Sequence, residues 1–333
     1  MSELARRSGE RARNEGAGPP QGFDRIAVVG LGLIGASVAM AAHHANASVC
    51  VVGVDSADVL QWAAERGVVD VASDHLDVVA DADLLVLAAP VLQNIRLIPQ
   101  VARHVSAKTI VTDVGSTKRA TVEAARSLAG TLTFVGGHPL AGAAAGGVEH
   151  ARADLFARRR WLFTPDDDTP PEALGRLFAF VKALGAAPDT VSAAEHDRVM
   201  AFVSHLPQLT ASALMRVAGD GAGEAGLSLS GPGLEDTTRL AESPFGIWAD
   251  ICATNAEDIR AAIDRFMAEL VDLRAGLAEP DRLAELFGHA RAWRERLRVA
   301  ARPAGPPRAS CGRSPRMKGR ESPVPHPRRH SSP

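Results

Sequence analysis

The sequence predicts an α/β fold, a doubly wound parallel sheet followed by an all-α domain, and three observations carry that prediction. Short, almost wholly apolar runs alternate with helix-period segments from residue 25 to about 164, the pattern of strands covered on both faces by crossover helices. A glycine cluster, Gly30-Leu31-Gly32-Leu33-Ile34-Gly35, follows the first of these runs without a gap. From Ser192 to about Leu297 the strand signals cease and long helical patterns replace them.

The first run, Arg25-Ile26-Ala27-Val28-Val29, reads as a strand, and the glycine cluster opens an Ala-rich helix through about His44. A second strand, Ser48 to Val54, ends at Asp55, twenty residues beyond Gly35. Strand, glycine turn, helix and a distal acid together form the dinucleotide fingerprint of a Rossmann-type sheet. Each position has a physical task. Gly30 permits the tight turn, Gly32 lets backbone approach a pyrophosphate, and Gly35 lets the helix pack on the strand. The free N–H groups of the helix start, at Leu33 and Ile34, face the negative charge. Asp55 is placed to accept hydrogen bonds from the adenosine ribose and to repel a 2′-phosphate, which favours NAD over NADP.

The alternation continues with a strand from Asp83 to Ala89 that stops at Pro90, and a helix from Val91 to His104. Lys108 to Thr112 forms the next strand and leads into Asp113-Val114-Gly115-Ser116-Thr117-Lys118 and a helix through Leu128. Thr133 to Gly137 is a strand that delivers His138, and Trp161 to Thr164 is another. In an open parallel sheet, ligands bind beyond the carboxyl ends of the strands. Gly30, Asp55, Pro90, Ser116 and His138 all fall at such ends. His138 lies in Gly136-Gly137-His138-Pro139-Leu140-Ala141-Gly142, on backbone that can approach a ligand closely and cannot continue as helix. Its side chain has the unperturbed pKa nearest neutrality, so it can accept or donate a proton at working pH.

Glu172 to Leu184 reads as an amphipathic helix, followed by a short extended piece to Val191. The helical segment then opens with Glu195-His196-Asp197-Arg198 and Ser204-His205-Leu206-Pro207-Gln208. Pro207 deletes one helical hydrogen bond and crowds the carbonyl of Val203, which predicts a kink. Ser204 and Gln208, four apart, share a face. Further on, a glycine-rich turn at Gly231-Pro232-Gly233 leads through Asp236 to Arg239, whose permanent charge and forked donors suit a carboxylate. Trp248 follows in Ile247-Trp248-Ala249-Asp250-Ile251.

The 333 residues are 46% hydrophobic and can build two cores. No apolar run is long enough to span a bilayer. Cys50, Cys252 and Cys311 lie far apart without metal-type spacing, so neither disulfides nor a bound metal is expected and a cytoplasmic location is. Residues 302–333 hold eight Arg or Lys against Glu321 alone, net +7, which leaves −9 on the rest of a chain of net −2. With eight prolines and no aromatic residue, this tail is expected to be disordered and not to bind nucleic acid. The expected organisation is an N-terminal extension (1–22), a dinucleotide-binding domain (23–190), a helical substrate and dimerisation domain (191–300) and the basic tail (301–333).

From about residue 24 to 275 the chain resembles the prephenate/arogenate dehydrogenase family of tyrosine biosynthesis. Six motifs occur in family order: GLGLIG from Gly30, DVGSTK from Asp113, GGHPLAG from Gly136, HD at His196 followed by SHLPQ from Ser204, GLEDTTR from Gly233, and IWADICATN from Ile247. The resemblance implies oxidative decarboxylation of prephenate, with a hydride passing from C4 of the cyclohexadiene to NAD while the ring carboxylate leaves as carbon dioxide. It further implies that His138 accepts a hydrogen bond from the C4 hydroxyl, with Ser116 beside it near the nicotinamide. Arg239 then binds a substrate carboxylate, and His196, Asp197, Ser204, His205, Gln208 and Trp248 line or support the pocket. Asp236 reaches across the interface of a homodimer built by the helical domains. Two departures bear on the substrate. Gln208 stands where some relatives carry a second histidine, and Ala143-Ala144 where some prephenate-specific members place a glutamate. Arogenate (or a broader cyclohexadienyl substrate), an amino-substituted prephenate analogue, and a non-catalytic NAD-binding sensor remain the alternatives.

Overall fold

The computed structural model describes residues 22–142 and 146–300. The expected extension before Gly22, the Ala143-Ala144 pair and the basic tail lie outside the described residues. Eight strands form one sheet: β1 (Arg25–Val29), β2 (Cys50–Val54), β3 (Val71–Ser73), β4 (Leu84–Leu87), β5 (Ile110–Asp113), β6 (Thr133–Pro139), β7 (Arg160–Thr164) and β8 (Ala187–Thr190). Their spatial order is β3-β2-β1-β4-β5-β6-β7-β8. Between them run α1 (Leu33–Ala45), α2 (Ala57–Glu65), α3 (Val91–Val101), α4 (Arg119–Arg126) and α5 (Pro171–Ala183).

The apolar strands build two cores because successive side chains point to opposite faces. Ile26, Val28, Val51, Leu84 and Val86 pack with Ala36 and Ala39 of α1 and Leu177 and Val181 of α5. Ala27, Val29, Val52, Leu85 and Leu87 face the other way, against Ile98 and Val101 of α3 and Ala125 of α4. Chain order reverses between β1 and its two neighbours β2 and β4, so a crevice opens at the carboxyl ends of these strands.

Two features differ from the expected sheet. The edge strand β3 is additional to the expected strands; it has three residues and exposes Val71, so it carries no apolar periodicity to read. β7 runs antiparallel to β6, from Gly136 opposite Thr164 to Pro139 opposite Trp161, so the sheet is mostly rather than wholly parallel. A parallel connection needs a crossover helix. Among the described residues between β6 and β7 there is only a single 3₁₀ turn, Val148–His150.

After β8 the chain is helical. Ser192 caps α6 (Ala193–Met200), its hydroxyl accepting the Glu195 N–H at 3.2 Å. In place of a simple kink at Pro207, a π turn spans Ala201–His205, with the Leu206 N–H donating to the Ala201 carbonyl five residues back. Pro207 follows that turn directly, as the second residue of α7 (Leu206–Leu227). The expected glycine-rich turn is short, for Gly231 directly caps α8 (Pro232–Thr238), and Arg239 begins a 3₁₀ turn, Arg239–Glu242. α9 (Phe245–Thr254) and α10 (Ala256–Ala275) complete a small core of Ala201, Ile251, Ile259 and Ala262. A second compact unit begins at Glu279 and contains α11 (Pro280–Ala300), where Arg291 pairs with Glu295 one turn on at 3.5 Å.

At the junction of β1 and α1 the backbone passes close to itself. A Cβ on Gly35 would fall far inside the van der Waals contact distance of the Gly30 carbonyl oxygen. Gly35→Ala should therefore cost at least about 1–3 kcal/mol, read as a lowered thermal midpoint. An unchanged midpoint would contradict this packing.

Candidate active site

The glycine turn sits at the switch point, where β1 gives way to α1. Gly30 takes φ +95°, a conformation that disfavours side chains, and a Cβ there would strike the Ala89 backbone nitrogen. Gly32 faces open space, with no atom within 4 Å of where a Cβ would stand, and caps α1 without any side-chain hydrogen bond. The first N–H groups of α1, at Leu33 and Ile34, have no intrahelical acceptor. The cradle thus has the room and the donors that a pyrophosphate requires. At the end of β2, Asp55 accepts the Leu31 N–H at 2.6 Å and the Ser56 N–H at 2.6 Å, which ties its carboxylate to the same turn. Pro90 caps α3 at the end of β4.

Beyond β5 and β6 lies a connected polar cluster. The Asp197 carboxylate accepts the backbone N–H groups of Lys118 at 2.8 Å and Arg119 at 2.9 Å. It also lies 2.7 Å from His196 Nδ1, and His196 Nε2 lies 2.9 Å from His138 Nδ1. An ionised carboxylate can only accept, so the tautomers follow in sequence. His196 donates from Nδ1 and accepts at Nε2. His138 must then donate from Nδ1, which leaves its Nε2 as a free acceptor. Burial raises the tendency of Asp197 to hold a proton, but the His196 ring and the two N–H donors outweigh it and hold the carboxyl below its ordinary range. Burial pushes His138 well below the usual histidine value, reinforced by His196, Lys118 and His205. Burial likewise lowers His196 and brings His205 down to about 4. These histidines are neutral at physiological pH.

Several further groups, to which the sequence alone assigns no role, carry this arrangement. Asp113 and Lys118 form an ion pair with both side chains fully buried. Asn255, 2% exposed, donates to the Asp197 carbonyl at 2.9 Å and lies 3.3 Å from His205 Nδ1. Asp250 accepts the Leu92 N–H at 3.0 Å, the Thr117 and Thr254 hydroxyls meet at 2.7 Å, and Arg119 reaches Asp258 at 2.6 Å. These contacts join α9 and α10 to the loops at the strand ends. The DVGSTK and IWADICATN motifs contain most of them, but the partners of Asn255 lie 50 and 58 residues away in sequence, and the Asp250–Leu92, Thr117–Thr254 and Arg119–Asp258 pairs are more than 130 apart.

The other expected site residues fall in four places. Ser116 follows Gly115 at the end of β5 and is half-buried. His205 is buried edge-on against Trp248, with ring centroids 6.0 Å apart. Gln208 is buried and braces the turn that carries Arg239, donating to the Leu240 carbonyl at 2.6 Å and accepting from Ser243 Oγ at 3.0 Å. Arg239, Ser204 and Asp236 are exposed and make no hydrogen bond with the histidine cluster. Among the described residues no group of three or more His, Cys, Asp or Glu side chains is placed to hold a metal ion.

A doubly wound sheet with an open glycine cradle at its switch point and a neutral, oriented histidine beyond neighbouring strands defines a dinucleotide-dependent oxidoreductase. Comparison with known proteins narrows the class. The prephenate dehydrogenase nucleotide-binding domain matches residues 38–188, and the prephenate dehydrogenase dimerization domain matches residues 192–289. The chain belongs to the prephenate dehydrogenase family. It is 32% identical over 262 residues to a prephenate dehydrogenase of Lactococcus lactis, covering 77% of this chain and 72% of that protein. The crystal structure of prephenate dehydrogenase from A. aeolicus, in complex with hydroxyphenyl propionate and NAD+, superposes with a TM-score of 0.77 at 26% identity, over 82% of this chain and 98% of the other. Synechocystis arogenate dehydrogenase superposes with a TM-score of 0.73 at 29% identity, over 82% of this chain and 99% of the other.

Proposed function

We propose that the protein is an NAD-dependent prephenate dehydrogenase that converts prephenate to 4-hydroxyphenylpyruvate, with His138 Nε2 as the hydrogen-bond acceptor for the C4 hydroxyl. The observation that carries this reading is the Asp197–His196–His138 chain, which fixes a neutral His138 with its free lone pair on Nε2. NAD, when bound along the glycine turn, supplies the hydride acceptor. As the C4–H bond breaks, positive charge grows at C4 and its hydroxyl becomes a stronger donor. An acceptor already oriented there stabilises that charge without reorganisation. Loss of carbon dioxide returns the electron pair to the ring, and the hydroxyl remains as the phenol.

Ser116 lies one residue beyond the Asp113-anchored Gly115 and is suited to hold the nicotinamide end of the cofactor or the same hydroxyl. Arg239 provides the fixed charge for a substrate carboxylate, and Gln208 holds its turn in place. His196, Asp197, His205 and Trp248 shape the pocket wall, with Ser204 and Asp236 at its rim. The sheet segment, 23–190, binds the cofactor, and the helical segment, 191–300, serves substrate binding and dimerisation. A homodimer is supported by the dimerization-domain match and by exposed Leu214, Val217, Phe266, Met267 and Val271 on α7 and α10. No helix among the described residues is long and apolar enough to cross a membrane, and a cytoplasmic biosynthetic role suits the free Cys50 and Cys252.

A second reading, arogenate as substrate, draws on Gln208. Its amide is uncharged and engaged with Leu240 and Ser243, so this position offers no cation to the side-chain carboxylate of prephenate. The test is direct. Purified protein mixed with NAD and prephenate should develop the NADH absorbance band. Development with arogenate alone would transfer the activity to the second reading, and none with either would overturn both.

The acceptor must be neutral, so activity exists above the pKa of His138 and is lost as pH falls through it. Because burial, with His196, Lys118 and His205 beside it, places that pKa well below 6.5, kcat/KM should stay level down past pH 6.5 and fall only in more acid solution. His138→Asn should lower kcat by roughly 10²–10⁴ with NAD affinity unchanged, measured by steady-state kinetics and cofactor titration. Unaltered turnover would remove His138 from the mechanism.

A further inference from the structure

We propose that Asp113 and Lys118 are positioning residues, a buried ion pair that fixes Ser116 relative to His138 and keeps His138 in its acceptor form. The proposal rests on the reading of His138 given above.

Parallel pairing of β5 and β6 stops at Thr112 opposite Val135, two residues short of Gly137. There the Asp113 side chain takes over: Oδ1 accepts the Gly137 N–H at 3.0 Å, and Oδ2 accepts the Gly115 N–H at 2.9 Å together with Lys118 Nζ. One carboxylate therefore holds the residue immediately before His138 and the residue immediately before Ser116. Both of those residues are glycines, and both must be. A Cβ on Gly137 would lie 2.6 Å from the Asp113 carbonyl oxygen, and one on Gly115 would lie 2.8 Å from Asp113 Oδ2.

A fully buried ion pair is a poor way to stabilise a fold, since apolar side chains of the same volume do as well or better. Its presence between two site loops, at the end of strands whose buried side chains are mostly apolar, calls for another role. Lys118 is the second half of the device. Its ammonium neutralises Asp113, while its backbone N–H donates to Asp197 Oδ1, the oxygen that also receives His196. Of the ionisable groups around His138, His196, His205 and Lys118 oppose a charge on it, while Asp113 and Asp197 favour a charge on the adjoining His196. Loss of Lys118 would remove an opposing cation and leave Asp113 uncompensated, so His138 would take up a proton more readily.

The test compares pH profiles of kcat/KM for the wild type, Lys118→Met and His138→Asn, with NAD binding and thermal melting as controls for folding. Lys118→Met should move the acid limb upward by about one pH unit or more and lower kcat more than it changes KM for NAD. A folded, NAD-binding Lys118→Met enzyme with the wild-type limb would overturn the proposal. Should that variant not fold, the ¹⁵N shift of Lys118 Nζ in the wild-type protein decides: a charged ammonium at neutral pH is required, and a neutral amine overturns the proposal. The underlying reading fails separately. An acid limb that persists in His138→Asn would exclude His138 as its origin, whereas a limb lost there but unmoved in Lys118→Met sinks only the role of the ion pair.

Discussion

The carboxylate of Asp197 is the interaction on which the site depends. Its two oxygens receive the N–H groups that open α4, on the sheet side, and the ring of its own neighbour His196, on the helical side. One group thereby docks α6 on the end of β5 and dictates which nitrogen of each histidine carries a proton. Buried and ionised, it can satisfy neither task without the other. Moving α6 would strip its backbone donors, and losing the ring would leave a lone pair unmet in a dry environment.

The remainder of the cluster shows how a neutral histidine is maintained near so much charge. His138 stands on regular β structure and His196 on a capped helix, so neither ring depends on a mobile loop for its orientation. Desolvation penalises a second positive charge, and Lys118 penalises it again. The cost of burying Asp113 and Lys118 is met locally, each by the other and by two backbone amides. What results is a ring kept neutral, with its Nε2 lone pair free at neutral pH, by its surroundings as well as by imidazole chemistry.

Much of this is legible from the residues in order, and the reasons differ by case. The Gly30–Asp55 fingerprint is local: each glycine acts through its own backbone, so spacing alone carries the meaning. The two-faced sheet is legible because buried strands leave unbroken apolar runs. The direction of β7 is not, since direction depends on what connects β6 to β7 and not on the strand itself. Lys118 and Asp113 sit five apart in one motif, yet their pairing beneath His138 becomes visible only once β5 and β6 are neighbours. The four-residue spacing predicts that Ser204 and Gln208 share a face. Across the π turn, however, Ser204 is exposed while Gln208 is buried, its amide meeting Leu240 and Ser243, contacts set by how the chain returns after α8.

The π turn at Ala201–His205 makes segment length a determinant of the site. A π turn holds one residue more than the α turn it replaces, so the faces of α6 and α7 are offset by about 100° from the phase of a continuous helix. His196 and Asp197 lie before the offset, and Gln208 lies after it. Deleting any one residue within the turn would permit a continuous α-helix, its hydrogen-bond ladder interrupted only at Pro207. That straighter helix would carry Gln208 round the axis and away from Leu240, releasing the turn of Arg239. Insertions and deletions here are therefore constrained by rotational phase, even where every side chain that could be substituted is tolerated.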